Sequence, residues 1–414
     1  MPTATPADQY QASVTHKRDI IQNEIVTSRK ETEIQDSKEL PRSSFPALAD
    51  NGHAYLNSGG SGPPTHATIE AMRAAEDLIS GPAYLEGVGF YVHQSEVSAR
   101  AREAAARLIG AGPDDVALTQ NTTHGMNLGV GAVDWREGDE AISATTEHPG
   151  CLAPLHNLRR RFGVGVTLIS PLVTLEKVEA ALTSRTRLIA LSHVDWTTGE
   201  VLPLQEICAL ARERGIPTLV DGAQSVGNIP VDAPATGADM YAFTGHKWLL
   251  GPEGMGALYV HPGFDAPGAN TGYLSLQDPK SFDAEGNYDL HPGARRFEAS
   301  TMSPVLATGF AAAAEAAYER GEAGLEGIRH RAELLADLLE KVPGVALRSP
   351  RPAQNGLISF EIEGVAAKDA AERLLEERFV VRYIPEPNSC VRASTHLFNT
   401  EEELEALARA VGDL

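Results

Sequence analysis

The sequence predicts an α/β protein with a large, mostly parallel sheet covered by helices on both faces, followed by a small α+β domain. Two observations lead to this fold class. Between residues 65 and 300, short apolar runs alternate with helical stretches of ordinary length, and such alternation is typical of parallel strands joined by crossover helices. After Pro304, two helical stretches come first and closely spaced strand patterns follow, which indicates a second, smaller domain.

The large domain is expected to contain seven strands with helices between them. The strand runs are short and rich in apolar or β-branched residues, as buried strands are. They cover residues 116–119, 140–144, 165–169, 188–193, 217–221, 240–243 and 256–260. The clearest helical stretches cover residues 65–80, 94–109, 123–133 and 203–214.

The remaining boundaries follow from changes in composition along the chain. Residues 1–44 are polar and charged, with few apolar residues to bury, and are predicted to form a flexible tail. Residues 45–64 form an N-terminal segment before the large domain at 65–300, and residues 301–414 form the small domain. Within the small domain we expect helices at 305–319, 325–341, 368–377 and from 400, and strands at 356–362, 380–384 and 391–394.

Composition and charge exclude several classes of function. A net charge of -21 would repel nucleic acids and anionic membranes, so neither is expected as a partner. The three cysteines lie far apart, and neither a zinc site nor a disulfide framework is expected. The chain has no apolar run long enough to span a membrane and no signal-peptide pattern, so a cytoplasmic location is predicted.

Lys247 is the first candidate for chemistry. It lies in a turn between the strand runs 240–243 and 256–260, and apolar surroundings lower a lysine's pKa and favour the neutral, nucleophilic amine. Thr244, Gly245 and His246 precede it and offer a hydroxyl, a backbone amide and an imidazole to an anion. The alternative is a structural lysine in a turn.

A second candidate is Asp221, which ends the strand run 217–221. Ligands of α/β sheets bind at this edge, and a buried carboxylate needs a cationic partner. The protonated ring nitrogen of pyridoxal phosphate would serve, with Asp221 and Lys247 holding opposite ends of that cofactor. Gln224 could then direct its amide toward the ring's phenolic oxygen. A helix N-cap is the alternative for Asp221.

These two motifs together resemble a known family. Val220-Asp-Gly-Ala-Gln-Ser225 followed by Thr244-Gly-His-Lys-Trp248 is similar to the fold-type I pyridoxal phosphate enzymes of aminotransferase class V, which include cysteine desulfurases and isopenicillin N epimerases. The similarity extends from about Tyr55 to the C-terminus and is greatest to the cysteine/cystine C–S lyases. It implies a seven-stranded type of large sheet, packing of residues 45–64 against the small domain, and a homodimer with its active site at the subunit interface.

The resemblance also assigns roles to individual residues. Thr122 and Thr123 open a predicted helix, where hydroxyls and N-terminal amides suit a phosphate, although an ordinary Thr N-cap is the alternative. Lys247 would bond the cofactor's aldehyde, and His148 would stack on its ring. The other implied cofactor contacts are Asp221, Gln224, Thr244, His246 and, from the neighbouring subunit, Thr301. The implied substrate contacts are Arg392, Arg382, Trp248 and Asn57, with no metal ion required.

The expected reaction is β-elimination from cystine, cysteine or another sulfur-substituted alanine, giving pyruvate, ammonia and a thiol or persulfide. A cysteine desulfurase needs a mobile cysteine, and where the desulfurase pattern has one this chain has Leu397. Cys390 reads as a core residue, which leaves Cys151 as the candidate thiol. Desulfuration, epimerisation, transamination and sulfoxide cleavage stay open as alternatives. A non-enzymatic scaffold would be expected to lack Lys247 or Asp221.

Overall fold

A computed structural model describes residues 40–414 except positions 50, 171, 267, 279 and 281. The fold class is confirmed: a mixed, mostly parallel sheet with helices on both faces is followed by a smaller antiparallel sheet. The predicted tail falls outside the described residues as far as residue 39. Within the described part of the chain, no helix combines the length and apolar character needed to cross a bilayer.

The large sheet has seven strands in the order β2-β8-β7-β6-β5-β3-β4. Neighbouring strands from β4 through β7 pair in parallel, and β8 runs antiparallel to both β2 and β7. All seven predicted strand runs are present, with ends shifted by at most two residues. The strands are β2 (Val116–Thr119), β3 (Glu140–Ala144), β4 (Gly165–Ile169), β5 (Thr186–Ser192), β6 (Thr218–Asp221), β7 (Met240–Thr244) and β8 (Gly256–Val260).

Helices cover both faces of this sheet because alternate strand residues enter two separate cores. In β7, for example, Tyr241 and Phe243 pack into one core and Met240 and Ala242 into the other. The helices of this region are α1 (His66–Ser80), α2 (Val88–Leu108), α3 (Thr122–Gly131), α4 (Pro149–Phe162), α5 (Leu175–Ala181), α6 (Leu204–Glu213) and the short α7 (Ala233–Thr236). Helices α3 and α4 cover the second of these cores.

The C-terminal region begins with the long helix α8 (Pro304–Leu339), which is interrupted at Gly321, where φ is 52°. The sequence predicts two helices separated near this point, and the positive φ explains the interruption. A four-stranded antiparallel sheet follows in the order β12-β13-β10-β9. Its strands and the later helices are β9 (Val345–Leu347), β10 (Leu357–Ile362), β12 (Arg382–Ile384), β13 (Cys390–Ser394), α9 (Ala367–Glu376) and α10 (Glu401–Gly412).

The N-terminal segment contacts both the small sheet and the loop that carries Lys247. Strand β1 (Ala54–Tyr55) pairs in parallel with β11 (Phe379–Val380). Leu56 O then accepts a hydrogen bond from Ser394 N at 2.7 Å, and Gly62 N donates to His246 O at 2.7 Å. A Cβ atom at Gly62 would overlap the carbonyl oxygen of Lys247, so this close approach requires glycine.

Three boundaries differ from those expected. Residues 40–44 were assigned to the tail, but Arg42 forms an ion pair with Glu403 and donates to His53 O at 2.8 Å, so this stretch packs against the body. Helix α2 begins six residues early, after Gly87 with φ 61°, because its exposed apolar first turns hide the amphipathic pattern. The expected strand 380–384 is two strands, since β11 pairs with β1 and β12 with β13.

Candidate active site

A cavity of about 270 Å³ lies where several strands of the large sheet end. Asp221 ends β6 and Thr244 ends β7, while the loops after β2 and β3 supply Thr122 and His148. Eight of the nine predicted cofactor contacts line this one cavity, and the ninth, Thr301, does not. The lining residues are Gly59, Gly60, Asn121, Thr122, Thr123, His148, Trp196, Asp221, Ala223, Gln224, Thr244, His246, Lys247, Arg382 and Arg392.

Lys247 lines this cavity together with the charged residues Asp221, Arg382 and Arg392. Burial lowers the pKa of its amine to about 8; the charge of Asp221 opposes this shift, and those of Arg392 and Arg382 add to it. The neutral amine that a nucleophile or general base requires is therefore far more populated near neutral pH than in an ordinary lysine.

Asp221 is the buried acid opposite Lys247, with only 5% of its surface exposed. It accepts a hydrogen bond from Ala223 N at 2.9 Å. Burial raises the pKa of its carboxyl group, whereas that hydrogen bond and the charge of Lys247 lower it. A ligand that brings a cation to this carboxylate would stabilise its ionised form.

The opposite side of the cavity carries neutral hydrogen-bonding groups suited to an anion. Thr122 is at the start of α3, and its buried hydroxyl has no hydrogen-bond partner among the described residues. Thr244 Oγ1 and His246 Nδ1 are hydrogen-bonded at 2.7 Å, which leaves Nε2 of the imidazole for a ligand. A phosphate at this helix N-terminus would use the free hydroxyl and the first amides of the helix.

His148 and Trp196 form one wall of the cavity. Gly150 N donates to His148 Nδ1 at 3.0 Å, and burial lowers the pKa of this imidazole to about 4, so the ring is neutral. It meets the face of Trp196 edge-on, with ring centroids 5.0 Å apart. Trp196 is held by its own hydrogen bond to Thr146 O at 2.7 Å. Trp196 was missing from the predicted site residues, although its position just after β5 was a signal for it.

Arg392 and Arg382 lie opposite each other on the adjacent antiparallel strands β13 and β12. Arg392 is fully buried and donates to Trp196 O at 2.8 Å, but its Nε and Nη2 atoms have no partner among the described residues. Burial lowers the pKa of this guanidinium to about 9. Arg382 is exposed, and both guanidinium carbons lie 5.9 Å from the centroid of the Trp196 ring. Two unpaired donors on a buried cation form a binding site for a carboxylate.

Two predicted substrate contacts lie behind the cavity instead of in it. Trp248 is buried, and its Nε1 donates to Gln224 Oε1 at 2.8 Å, so it supports Gln224 and is not among the lining residues. Asn57 lies beneath Gly60 and is not among the lining residues. Gln224 itself donates to Gly59 O at 2.8 Å, which leaves one amide hydrogen for a ligand.

The candidate thiol Cys151 does not reach the cavity either. Its side chain is fully buried in the core beneath α4, near Ser143, and burial raises the pKa of the thiol well above its ordinary value. Cys208 and Cys390 are also free and buried, and burial raises the pKa of each to about 11. Leu397 is buried as well. The described chain, which includes all three cysteines, therefore presents no reactive thiol.

The cavity fits pyridoxal phosphate in its set of donors and acceptors. The unpartnered hydroxyl of Thr122 and the start of α3 suit the phosphate, the buried carboxylate of Asp221 suits the ring nitrogen, and Lys247 suits the aldehyde. The neutral ring of His148 is available to stack on the ring face. Thr301 is exposed and is not among the residues that line the cavity of its own chain.

Comparisons with known proteins identify relatives of this chain. The model of the aminotransferase class-V family matches residues 54–407. An isopenicillin N epimerase of Streptomyces clavuligerus is 32% identical over 395 residues, which cover 89% of this chain and 96% of that protein. A probable cysteine desulfurase of Pseudomonas aeruginosa is 33% identical over 400 residues, which cover 87% of this chain and 93% of that protein.

Solved structures of the protein C-DES are also similar. The complex of this cystine C–S lyase with its reaction product, cysteine persulfide, has a TM-score of 0.80 at 32% identity and covers 89% of this chain and 99% of that chain. A lysine-to-alanine mutant of C-DES with glycine covalently linked to the PLP cofactor has a TM-score of 0.81 at 31% identity. That match covers 91% of this chain and 100% of the other.

Proposed function

We propose that this chain, which belongs to the aminotransferase class V family and has pyridoxal phosphate as its cofactor, is a carbon–sulfur lyase. Its substrate would be cystine, cysteine or another alanine that carries sulfur on the β-carbon. The products would be pyruvate, ammonia and a thiol or persulfide. The site residues that the sequence predicts would serve this reaction in the roles described below.

The observation that carries the proposal is the absence of a reactive thiol from a site that otherwise suits a sulfur amino acid. All three cysteines are buried, and burial raises the pKa of each. A desulfurase must attack the substrate's sulfur with a thiolate on a mobile segment. Without such a group, sulfur would leave with its electron pair from the β-carbon instead of passing to the protein.

The substrate class is supported by Arg392. Its unpaired Nε and Nη2 atoms can donate two parallel hydrogen bonds to the α-carboxylate of an amino acid. Arg382 on the neighbouring strand would add positive charge near this carboxylate. Lys247 lies close enough for its pKa to respond to both guanidinium groups, which supports an α-carbon position near the amine.

Each remaining residue would have a defined part in the elimination. Bound pyridoxal phosphate supplies an electron sink for the negative charge that develops at the substrate's α-carbon. Lys247 would take the α-proton onto its neutral amine, while Asp221 would keep the proton on the ring nitrogen. His148 would hold the ring by stacking. The C–S bond would then break with its electron pair leaving on sulfur. The released enamine would react with water to give pyruvate and ammonia.

A homodimer is part of the same proposal. Five large apolar side chains around the start of α2 are between 52% and 90% exposed in the single chain, which is typical of a surface covered by a partner. They are Tyr84, Leu85, Val88, Tyr91 and Val92. The exposure of Thr301 is compatible with its reaching the phosphate of the neighbouring subunit.

The test is a product analysis of the purified holoenzyme with cystine, cysteine and S-alkyl cysteines. A lyase would form pyruvate and ammonia in equal amounts, with no alanine, and Lys247→Ala would form neither. Alanine together with a persulfide on the protein would instead establish a desulfurase. A changed configuration at the α-carbon, or a new amino acid formed only with an added keto acid, would point to an epimerase or a transaminase. Any of these three results would overturn the proposal.

A further inference from the structure

A buried carboxyl group next to the site has no part in the chemistry described so far. Glu147 directly precedes His148 and is only 6% exposed. Ser192 N donates to Glu147 Oε1 at 2.6 Å, and the hydroxyl of Ser192 forms a short hydrogen bond with Oε2. Ser192 is the last residue of β5, and its register partner on β6 is Asp221. Glu147 therefore occupies the space beside the acid that serves the cofactor.

The charges around Glu147 are all unfavourable to a second anion. Asp221 at the end of β6 and Asp195 in the loop after β5 are the ionisable groups that act on its carboxyl, and the thiol of Cys151 on α4 also faces it. No cation pairs with Glu147 among the described residues. Asp221, in contrast, faces the amine of Lys247 and accepts a backbone hydrogen bond. When two neighbouring buried carboxyl groups share one cation, the group without the cation keeps its proton.

We propose that Glu147 is a neutral carboxylic acid in the working enzyme and acts as a positioning residue. Its hydrogen bonds to Ser192 fasten the loop after β3 to the end of β5, and this places the ring of His148 at the cavity wall. Its lack of charge avoids a second anion directly beside Asp221, the acid that serves the cofactor's ring nitrogen. Burial and the charges of Asp221 and Asp195 raise the pKa of Glu147 to about 8, against the opposing effect of the two hydrogen bonds from Ser192.

This protonation makes stability depend on pH in a defined way. In the unfolded chain Glu147 loses its proton near its ordinary pKa of 4.5, whereas in the folded protein it keeps the proton up to about 8. Between these values the folded state binds the extra proton, so the free energy of unfolding falls as pH rises. Glu147→Gln mimics the neutral acid and removes this titration.

The experiment compares the parent holoenzyme with Glu147→Gln, Glu147→Ala and a matched control, Glu298→Gln. Glu298 is also buried, but unlike Glu147 it forms an ion pair, with Arg102 at 2.9 Å. Infrared spectra at pH about 7 would show a protonated carboxyl band in the parent that is lost in Glu147→Gln and kept in Glu298→Gln. Urea unfolding from pH 5 to 8, about the window between the two pKa values, would show a free energy of unfolding whose slope against pH is more negative by about one proton in the parent than in Glu147→Gln.

The affinity for the cofactor tests the proposed positioning role of Glu147. Pyridoxal phosphate affinity should change by less than about threefold in Glu147→Gln, since the isostere keeps the contacts to Ser192, and weaken about tenfold or more in Glu147→Ala. The proposal is overturned if the parent lacks the infrared band, a result that needs no variant to fold. It is also overturned if Glu147→Gln weakens the cofactor as much as Glu147→Ala. The proton on Glu147 is independent of which substrate is cleaved, so these results would leave the lyase proposal untouched.

Discussion

Replacing Arg392 with methionine tests directly whether its guanidinium binds the carboxylate of the substrate. Methionine is unbranched and carries no charge, so the variant removes the two unpaired donors, Nε and Nη2, and the hydrogen bond to Trp196 O. Losing a charge-assisted, two-donor contact to a carboxylate costs about 2 to 4 kcal/mol. At about 1.4 kcal/mol per factor of ten, kcat/KM for pyruvate formation should fall about 30-fold to 1,000-fold.

The same substitution should not weaken the fold, and this separates a binding role from a structural one. A buried guanidinium with one hydrogen-bond partner is poorly compensated for leaving water, so replacing it with an apolar side chain should leave the free energy of unfolding unchanged or raise it. The assays are steady-state kinetics, urea unfolding and the visible absorbance of bound cofactor. Arg382→Met is the matched control, and its loss of kcat/KM should be smaller because Arg382 is exposed. Full activity in Arg392→Met, or equal losses in both variants, would refute the assignment.

Three further predictions address the cofactor lysine, the thiol and pH. Lys247→Ala should abolish turnover and the absorbance of covalently held cofactor, and a variant as active as the parent would show that another residue carries the chemistry. Cys151→Ser should keep most of its activity in the pyruvate assay, because the thiol is buried and its pKa is raised; abolished turnover in a folded variant would contradict this. Apoenzyme mixed with pyridoxal phosphate should form the covalent linkage faster as pH rises to about 8, since the neutral amine of Lys247 reacts and its pKa is lowered to about 8. A rate that keeps rising toward the ordinary lysine pKa of 10.5 would disagree with the buried setting of that amine.

Much of the fold and of the site is predictable because the relevant signals are local. Strands covered on both faces read as continuous apolar runs, and this places all seven strands of the large sheet. Asp221 and Thr244 end two such runs, and parallel strands bring their carboxyl ends to one edge. Lys247 is in the loop that follows Thr244, so its approach to the same edge also follows from the sequence.

The positions of other side chains depend on packing that no short motif encodes. Trp248 adjoins Lys247 in sequence, yet its ring turns away beneath Gln224, while Trp196 reaches the cavity from a different loop. Cys151 is two residues after Pro149, and the first turn of α4 directs its thiol into the core beside Ser143. In each case a rotation of about 100° per helical residue, or the course of one loop, decides between the cavity and the core.

The N-terminal segment has a consequence for how the protein is made. Ala54 pairs with Phe379 and Leu56 with Ser394, so a stretch synthesised early has partners that are synthesised late. During synthesis on the ribosome, β1 has no strand to pair with until almost the whole chain has emerged, whereas the large sheet can already assemble. Pairing of residues 54–56 with the small domain is therefore expected to be among the last steps of maturation. A truncated or stalled product that lacks the last two strands would contain every proposed cofactor contact but neither Arg382 nor Arg392, so its substrate site would be unfinished.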